Sequence, residues 1–263
     1  MDVPAGFVEV RSRREVAWVR SDLEALGLDA LWRESEPMRG SKGRGGVGTL
    51  LLRPGLTAVV RPFRRGGALR SLLGDRYADA GRALAELAAL ERLRGEGVPV
   101  VVPLAALARK PRTFWRLRLL TERLDGAMSL PAFCAADPEA RGWAVESTAV
   151  TVRLAFEAGL VHRDLHPDNV LVTRHGDKVR AALVDLDRAT FLKPLPQQAK
   201  DEMLVRMARY LARHPDIGDA FTRQDRLRFL RGLGCDKGER RAEVDRLWPL
   251  LARALRVRGL KAR

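Results

Sequence analysis

Apolar positions in the first half of this chain fall mostly in short β-branched and aliphatic runs, whereas in the second half they recur at helical spacing. Phe7 to Val10 predicts a strand, and Ser21 to Trp32 predicts a helix that Ser21 or Asp22 would cap. Thr49 to Leu52 and Thr57 to Val60 are strand-like runs separated by the turn signal Pro54-Gly55, and together they predict a β-hairpin. Leu84, Leu87, Ala88, Leu90 and Leu93 recur at helical spacing, so a helix is expected from Tyr77 to Arg94, stopped by Gly95 and Gly97 with Pro99 following. Val100 to Val102 and Trp115 to Leu120 read as further strands. Beyond Leu130 the pattern predicts helices over Glu139 to Ala158, Gln197 to Arg213, Arg223 to Leu230 and Glu239 to Arg256. The exception is a strand-turn-strand, Val170 to Thr173 and Arg180 to Val184, about His175-Gly176-Asp177. A strand-rich part followed by a helical part predicts an α+β chain of two lobes, residues 1–122 and 123–263, with the boundary near Glu122 to Gly126.

Composition narrows the partners. The chain has 263 residues, of which 46% are hydrophobic and 31% charged, enough apolar material for a sizeable core. Its net charge of +15 favours an anionic partner: nucleic acid, an acidic membrane face or a phosphorylated substrate. Cys134 and Cys235 are far apart and lack metal-ligand spacing, so a reducing compartment is expected rather than a disulfide framework. Met1 to Val10 does not read as a signal peptide, and no window approaches the roughly 20 apolar residues that span a bilayer. The expected location is the cytoplasm, or the cytoplasmic side of a membrane.

The chemistry lies in His162-Arg163-Asp164-Leu165-His166-Pro167-Asp168-Asn169. His-Arg-Asp-Leu with an Asn five residues after the Asp is the protein-kinase catalytic-loop signature. Phosphoryl transfer from ATP needs a carboxylate to orient the acceptor hydroxyl and take its proton, and oxygen donors for Mg²⁺. Asp164 suits the first task and Asn169 the second. Ala181 to Val184 leads into Asp185-Leu186-Asp187, and a carboxylate ending an apolar strand is where the second magnesium ligand belongs, so Asp185 takes that role. Asp187 stands where the signature D-F-G has glycine. Each residue alone also reads as an ordinary loop or strand-end residue; the joint pattern favours catalysis.

Gly43-Arg44-Gly45-Gly46-Val47-Gly48 precedes a strand, and glycines let backbone amides approach phosphates closely. The run lacks the G-K-[ST] ending and following helix of a P-loop, so it reads as a kinase glycine-rich loop or as a flexible turn. Thr57 to Val60 ends at Arg61, where V-A-I-K would have lysine, and Glu86 sits on the next helix as the expected ion-pair partner. Arginine keeps the charge but is bulkier and binds in a fork.

A narrower resemblance spans Gly40 to Arg213. Gly43-Arg44-Gly45, Arg61-Pro-Phe-Arg-Arg-Gly-Gly67, Asp75-Arg76-Tyr77, Arg82 to Glu86 ahead of Gly97-Val98-Pro99-Val100, and His162 to Asn169 resemble the lipopolysaccharide core kinases, most nearly the 3-deoxy-D-manno-octulosonic acid (Kdo) kinases. This resemblance implies a bilobal protein-kinase-like fold, with a β-rich N-terminal lobe carrying one main helix and a helical C-terminal lobe. It implies ATP- and Mg²⁺-dependent phosphorylation of a Kdo hydroxyl on the lipid A inner core, at the cytoplasmic face of the inner membrane. It makes Asp164 the base, with His162 and Arg163 beside it in the catalytic loop, and Asn169 and Asp185 the metal ligands. Gly43, Arg44, Gly45, Gly46, Gly48, Arg61 and Glu86 then form the nucleotide site. Arg64, Arg65, Arg70 and Arg76 would face the anionic lipid surface, unless they are a solvated, solubilising face.

Other readings are an aminoglycoside- or choline-type phosphotransferase, an atypical Ser/Thr protein kinase, a pseudokinase scaffold and a nucleic-acid binder. A strongly basic protein is a poor match for a cationic aminoglycoside. After Asp187 no A-P-E follows to shape a peptide site. Asp164, Asn169 and Asp185 together argue against a pseudokinase. The absence of helix-turn-helix, zinc-finger and RNP patterns argues against nucleic acid.

Overall fold

The structure, a computed structural model, describes residues 2–38, 46–64, 75–218 and 221–256. It divides into two compact units, Met1–Arg92 with Val101–Arg123, and Leu93–Val100 with Leu124–Arg263.

The first unit is built on an antiparallel seven-stranded sheet in the order β1-β2-β6-β7-β5-β4-β3. Its strands are β1 (Phe7–Arg11), β2 (Glu15–Arg20), β3 (Glu36–Pro37), β4 (Gly48–Arg53), β5 (Leu56–Pro62), β6 (Pro103–Arg109) and β7 (Arg116–Glu122). β4 and β5 form the expected hairpin about Pro54-Gly55, and Leu56, Ala58 and Val60 alternate inward along β5. β2 had no counterpart among the expected strands, because Val16 to Val19 are buried in one unbroken run with no alternation to mark them. The expected strand at Val100 to Val102 is displaced: Val100 makes only an isolated parallel bridge to Leu183, and the strand starts at Pro103.

The expected helix from Ser21 to Trp32 is a 3₁₀ turn, Ser21–Leu26, followed by α1 (Gly27–Trp32), with Gly27 at φ +74° where they join. Neither proposed cap is used. The Ser21 hydroxyl donates to the Gly6 carbonyl at 2.9 Å, and Asp22 pairs with Arg20 at 2.6 Å and Arg53 at 2.8 Å. Leu23 and Leu31 from this segment join Leu50, Leu52, Leu107 and Leu120 in the core. Trp32 packs against them, with Arg109 and Arg118 over its ring at 4.5 and 4.7 Å. Helix α2 (Gly81–Gly95) starts after the expected Tyr77, because Tyr77 and Trp115 exchange backbone hydrogen bonds of 2.9 and 2.8 Å.

In the second unit β8 (Met128–Ser129), β10 (Val170–His175) and β11 (Lys178–Leu183) form one small sheet, and β9 (Leu160–Val161) pairs with β12 (Thr190–Phe191) in another. Its helices are α3 (Leu130–Ala136), α4 (Arg141–Glu157), α5 (Gln197–Arg213), α6 (Pro215–Gly218), α7 (Arg223–Gly232) and α8 (Glu239–Arg256). α5 and α8 have the expected ends. α4 begins after the expected Glu139, because the Asp137 carboxylate accepts the Ala140 N–H at 3.0 Å and turns the chain first. α4 covers the edge of β11 with polar pegs. The Thr151 hydroxyl donates to the Ala181 carbonyl at 3.2 Å, and the Ser147 hydroxyl accepts the Ala181 N–H at 2.9 Å. Cys134 and Cys235 are free thiols, and burial pushes Cys134 up to about 12, far from thiolate reactivity. No helix among the described residues is long and apolar enough to cross a membrane.

Candidate active site

Two loops of the second unit are clamped together at both ends. Residues 162–169 run from β9 to β10, and residues 184–189 run from β11 to β12. β9 pairs with β12 through Val161 and Thr190, and β10 pairs with β11 through Val170 and Leu183. The Val184 N–H donates to the Asn169 carbonyl at 3.0 Å, which carries the β10–β11 register to the residue before Asp185.

His162 ties the loops from below. Its ring is 1% exposed; Nδ1 accepts the Asp164 N–H at 3.2 Å, and Nε2 lies 3.4 Å from the Val184 carbonyl. A neutral imidazole with its proton on Nε2 satisfies both contacts. Burial pushes the His162 pKa below its ordinary value, which favours that neutral form. The ring is closed off from solvent, so it positions Asp164 and Val184.

The Asp164 side chain is 68% exposed, open to an acceptor. Its carboxyl is held below the usual range chiefly by His166, whose Nε2 lies 3.6 Å away, with the charge of Arg206 adding to the effect against desolvation. Arg163 beside it is exposed. Asn169 is buried, and its amide nitrogen donates to the Asp164 carbonyl at 2.9 Å, so its side-chain oxygen is the atom that could serve a cation. Asp185 stands at φ +59°, a left-handed conformation that Asp tolerates better than most side chains. Such backbone conformations cluster at functional sites.

One amide oxygen and one carboxylate fit Mg²⁺, a hard cation that takes a few protein oxygens and completes its shell with water and phosphate. No cluster of three or more His, Cys, Asp or Glu suited to a metal occurs among the described residues.

In the first unit Arg61, at the end of β5, pairs with the buried Glu86 of α2 at 2.5 Å. Arg61 also lies 4.8 Å from the centre of the Phe63 ring. Phe63 meets Tyr77 edge-on at 6.3 Å, and Arg82 lies over Tyr77 at 5.0 Å. The Arg-Pro-Phe and Asp-Arg-Tyr segments thus share one aromatic–guanidinium cluster, and arginine's flat cation serves both the carboxylate and the ring. Gly46 stands at φ +63°, and a Cβ on Gly48 would lie 2.7 Å from the Glu36 carbonyl, so β3 leaves that position no room for a side chain. Gly43, Arg44 and Gly45 lie outside the described residues, as do Arg65 and Arg70, while Arg64 and Arg76 are exposed.

Residues 29–233 match the lipopolysaccharide kinase (Kdo/WaaP) family. The chain belongs to that family. A 3-deoxy-D-manno-octulosonic acid kinase of Xylella fastidiosa is 30% identical over 190 residues, 71% of this chain and 74% of its own length. One from Vibrio vulnificus is 30% identical over 170 residues, covering 63% of this chain and 72% of its own. One from Stenotrophomonas maltophilia is 28% identical over 203 residues, covering 73% and 80%. Among solved structures, WaaP in complex with acyl carrier protein matches with a TM-score of 0.57 at 24% identity, over 89% of this chain and 91% of that one. The expected α+β protein-kinase-like fold is therefore the observed one, and the protein is a kinase of this family.

Other residues around the 162–169 loop of this kinase carry no signal in the sequence pattern. Tyr210 on α5 donates its hydroxyl to Asp168, stacks on His166 at 5.0 Å with 10° between the rings, and touches His214 at 4.5 Å. Met203, on the same helix, accepts the His162 N–H at 3.2 Å. His166 lies inside the signature and was open to notice; the α5 residues carry no motif that links them to it.

Proposed function

We propose that this kinase transfers the terminal phosphoryl group of ATP, with Mg²⁺, to a hydroxyl of the Kdo sugar on lipid A. The observation that supports this best is the clamped pair of loops that joins Asp164, Asn169 and Asp185 through His162 and Val184. Asp164 accepts a hydrogen bond from the acceptor hydroxyl and takes its proton as the oxygen bonds to phosphorus and ADP leaves. The Asn169 amide oxygen and the Asp185 carboxylate would hold the Mg²⁺, which when bound would supply charge neutralisation at the phosphates. His162 keeps the Asp164 backbone in place, and Arg163 supplies a cation beside the base.

Residues 1–122 serve as the nucleotide-binding lobe and residues 123–263 as the catalytic lobe. In the former, the glycine-rich segment Gly43 to Gly48 and Arg61, held by Glu86, serve the nucleotide phosphates. The protein works at the cytoplasmic face of the inner membrane, where Arg64, Arg65, Arg70 and Arg76 meet anionic headgroups at about 1 kcal/mol each. A net charge of +15 suits a phosphorylated, carboxylated glycolipid and opposes a cationic aminoglycoside.

The test is incubation with ATP and Mg²⁺ against a panel of Kdo–lipid A, an aminoglycoside and a Ser/Thr peptide, read by mass spectrometry. One added phosphate on the glycolipid alone is expected. Phosphate on only the aminoglycoside or peptide would overturn the assignment.

A further inference from the structure

Helix α5 touches the catalytic loop at two points on one face, through Met203 to the His162 N–H and through Tyr210 to Asp168 and His166. Arg206 lies three residues after the first contact and four before the second, so helical spacing sets it on that same face between them. The loop residues bracketed by those contacts include Asp164. Arg206 is close enough for its charge to act on the Asp164 carboxyl, after the larger effect of His166.

Despite this, Arg206 makes no hydrogen bond or ion pair among the described residues, and its Nε is buried without a partner. His166, which also acts on the Asp164 carboxyl, has its Nδ1 buried and unpartnered. A half-buried guanidinium normally finds an anion, and its planar fork matches a carboxylate in two parallel hydrogen bonds. Asp164 is not that partner, since it has no ion pair with Arg206 among the described residues and its contact is with His166 Nε2 at 3.6 Å. An unpaired guanidinium whose charge reaches the Asp164 carboxyl is suited to an anion brought by a ligand.

We propose that Arg206, together with His166, forms a subsite for the acceptor's carboxylate and so selects a sugar acid over a neutral sugar. Arg206 is a specificity residue here: it binds the acid group while Asp164 takes the hydroxyl proton. This inference rests on the function proposed above. The terminal phosphate of the nucleotide offers the same anionic oxygens, so the test separates the two sources.

The experiment compares Kdo–lipid A with its carboxyl-reduced analogue, using the full-length wild type, Arg206→Gln and Arg206→Lys. The wild type is expected to favour the acid by about ten- to a hundredfold in kcat/KM, the range for one charge-assisted pair. Arg206→Gln should bring that ratio close to one through the acceptor KM, and Arg206→Lys should restore part of it. Thermal melts and Mg·ATP binding report whether each variant is folded. If the wild type phosphorylates both acceptors equally, the subsite falls while the proposed function stands. If Arg206→Gln raises the KM for ATP and leaves the ratio intact, the guanidinium serves the nucleotide and the subsite also falls. If the wild type phosphorylates neither, the proposed function fails and takes this inference with it.

Discussion

Asp185 holds its backbone at φ +59°, which asparagine adopts readily and alanine resists. Asp185→Asn should therefore melt within a few degrees of the wild type yet lose Mg²⁺-dependent turnover; Asp185→Ala should lose turnover and about 1–2 kcal/mol of stability as well. Melting curves beside a Mg²⁺ titration check both, and full turnover in Asp185→Asn would remove it from the metal site. His162 makes a different prediction. Burial lowers its pKa in the folded state, so the unfolded chain binds a proton that the native state refuses. Its contribution is complete above the unfolded value of about 6.5 and is lost as pH falls from there towards the folded value. The melting temperature should drop between about pH 7 and pH 5, with a shallower slope in His162→Gln; equal slopes would contradict a buried neutral ring. Asp164, Asn169 and Asp185 stand out in the sequence as candidates because the first two share a contiguous signature and the third ends an apolar strand. Arg206 and Tyr210 do not, because their nearness to that loop depends on the phase of a helix some forty residues further along.

The elements differ in legibility for physical reasons. β5 alternates inward and outward and was readable, whereas β2 is buried along its middle and lost the period that marks a half-exposed strand. α5 and α8 show their apolar stripes against charged faces, so their ends were readable too. The starts of α2 and α4 moved because Trp115 and Asp137 engage the preceding backbone. α7 starts as expected and carries a reciprocal cap: Thr222 Oγ1 accepts the Asp225 N–H at 3.2 Å, and Asp225 accepts the Thr222 N–H at 2.9 Å. Thr222→Ala should cost about 1 kcal/mol in denaturant unfolding and leave both KM values unchanged. A change in KM instead would mean that α7 takes part in substrate binding.

For the molecule as a whole, the family match over residues 29–233 takes in strands of the first unit and both loops of the second, so the kinase assignment does not hang on one motif. The charge of +15 has its own consequence. Sedimentation with vesicles rich in anionic lipid should be strong at low salt and fall steeply as the Debye length shrinks to about 8 Å at 0.15 M. Binding that ignores salt would point to an apolar contact. The claim beneath all of this is that Asp164 takes the acceptor's proton during phosphoryl transfer. A single-turnover measurement of transfer to Kdo–lipid A, at saturating Mg·ATP, compares the wild type with Asp164→Asn. The rate constant should fall by about 10²–10⁴ while Mg·ATP affinity stays within a few fold; an unchanged rate constant would show that the base lies elsewhere.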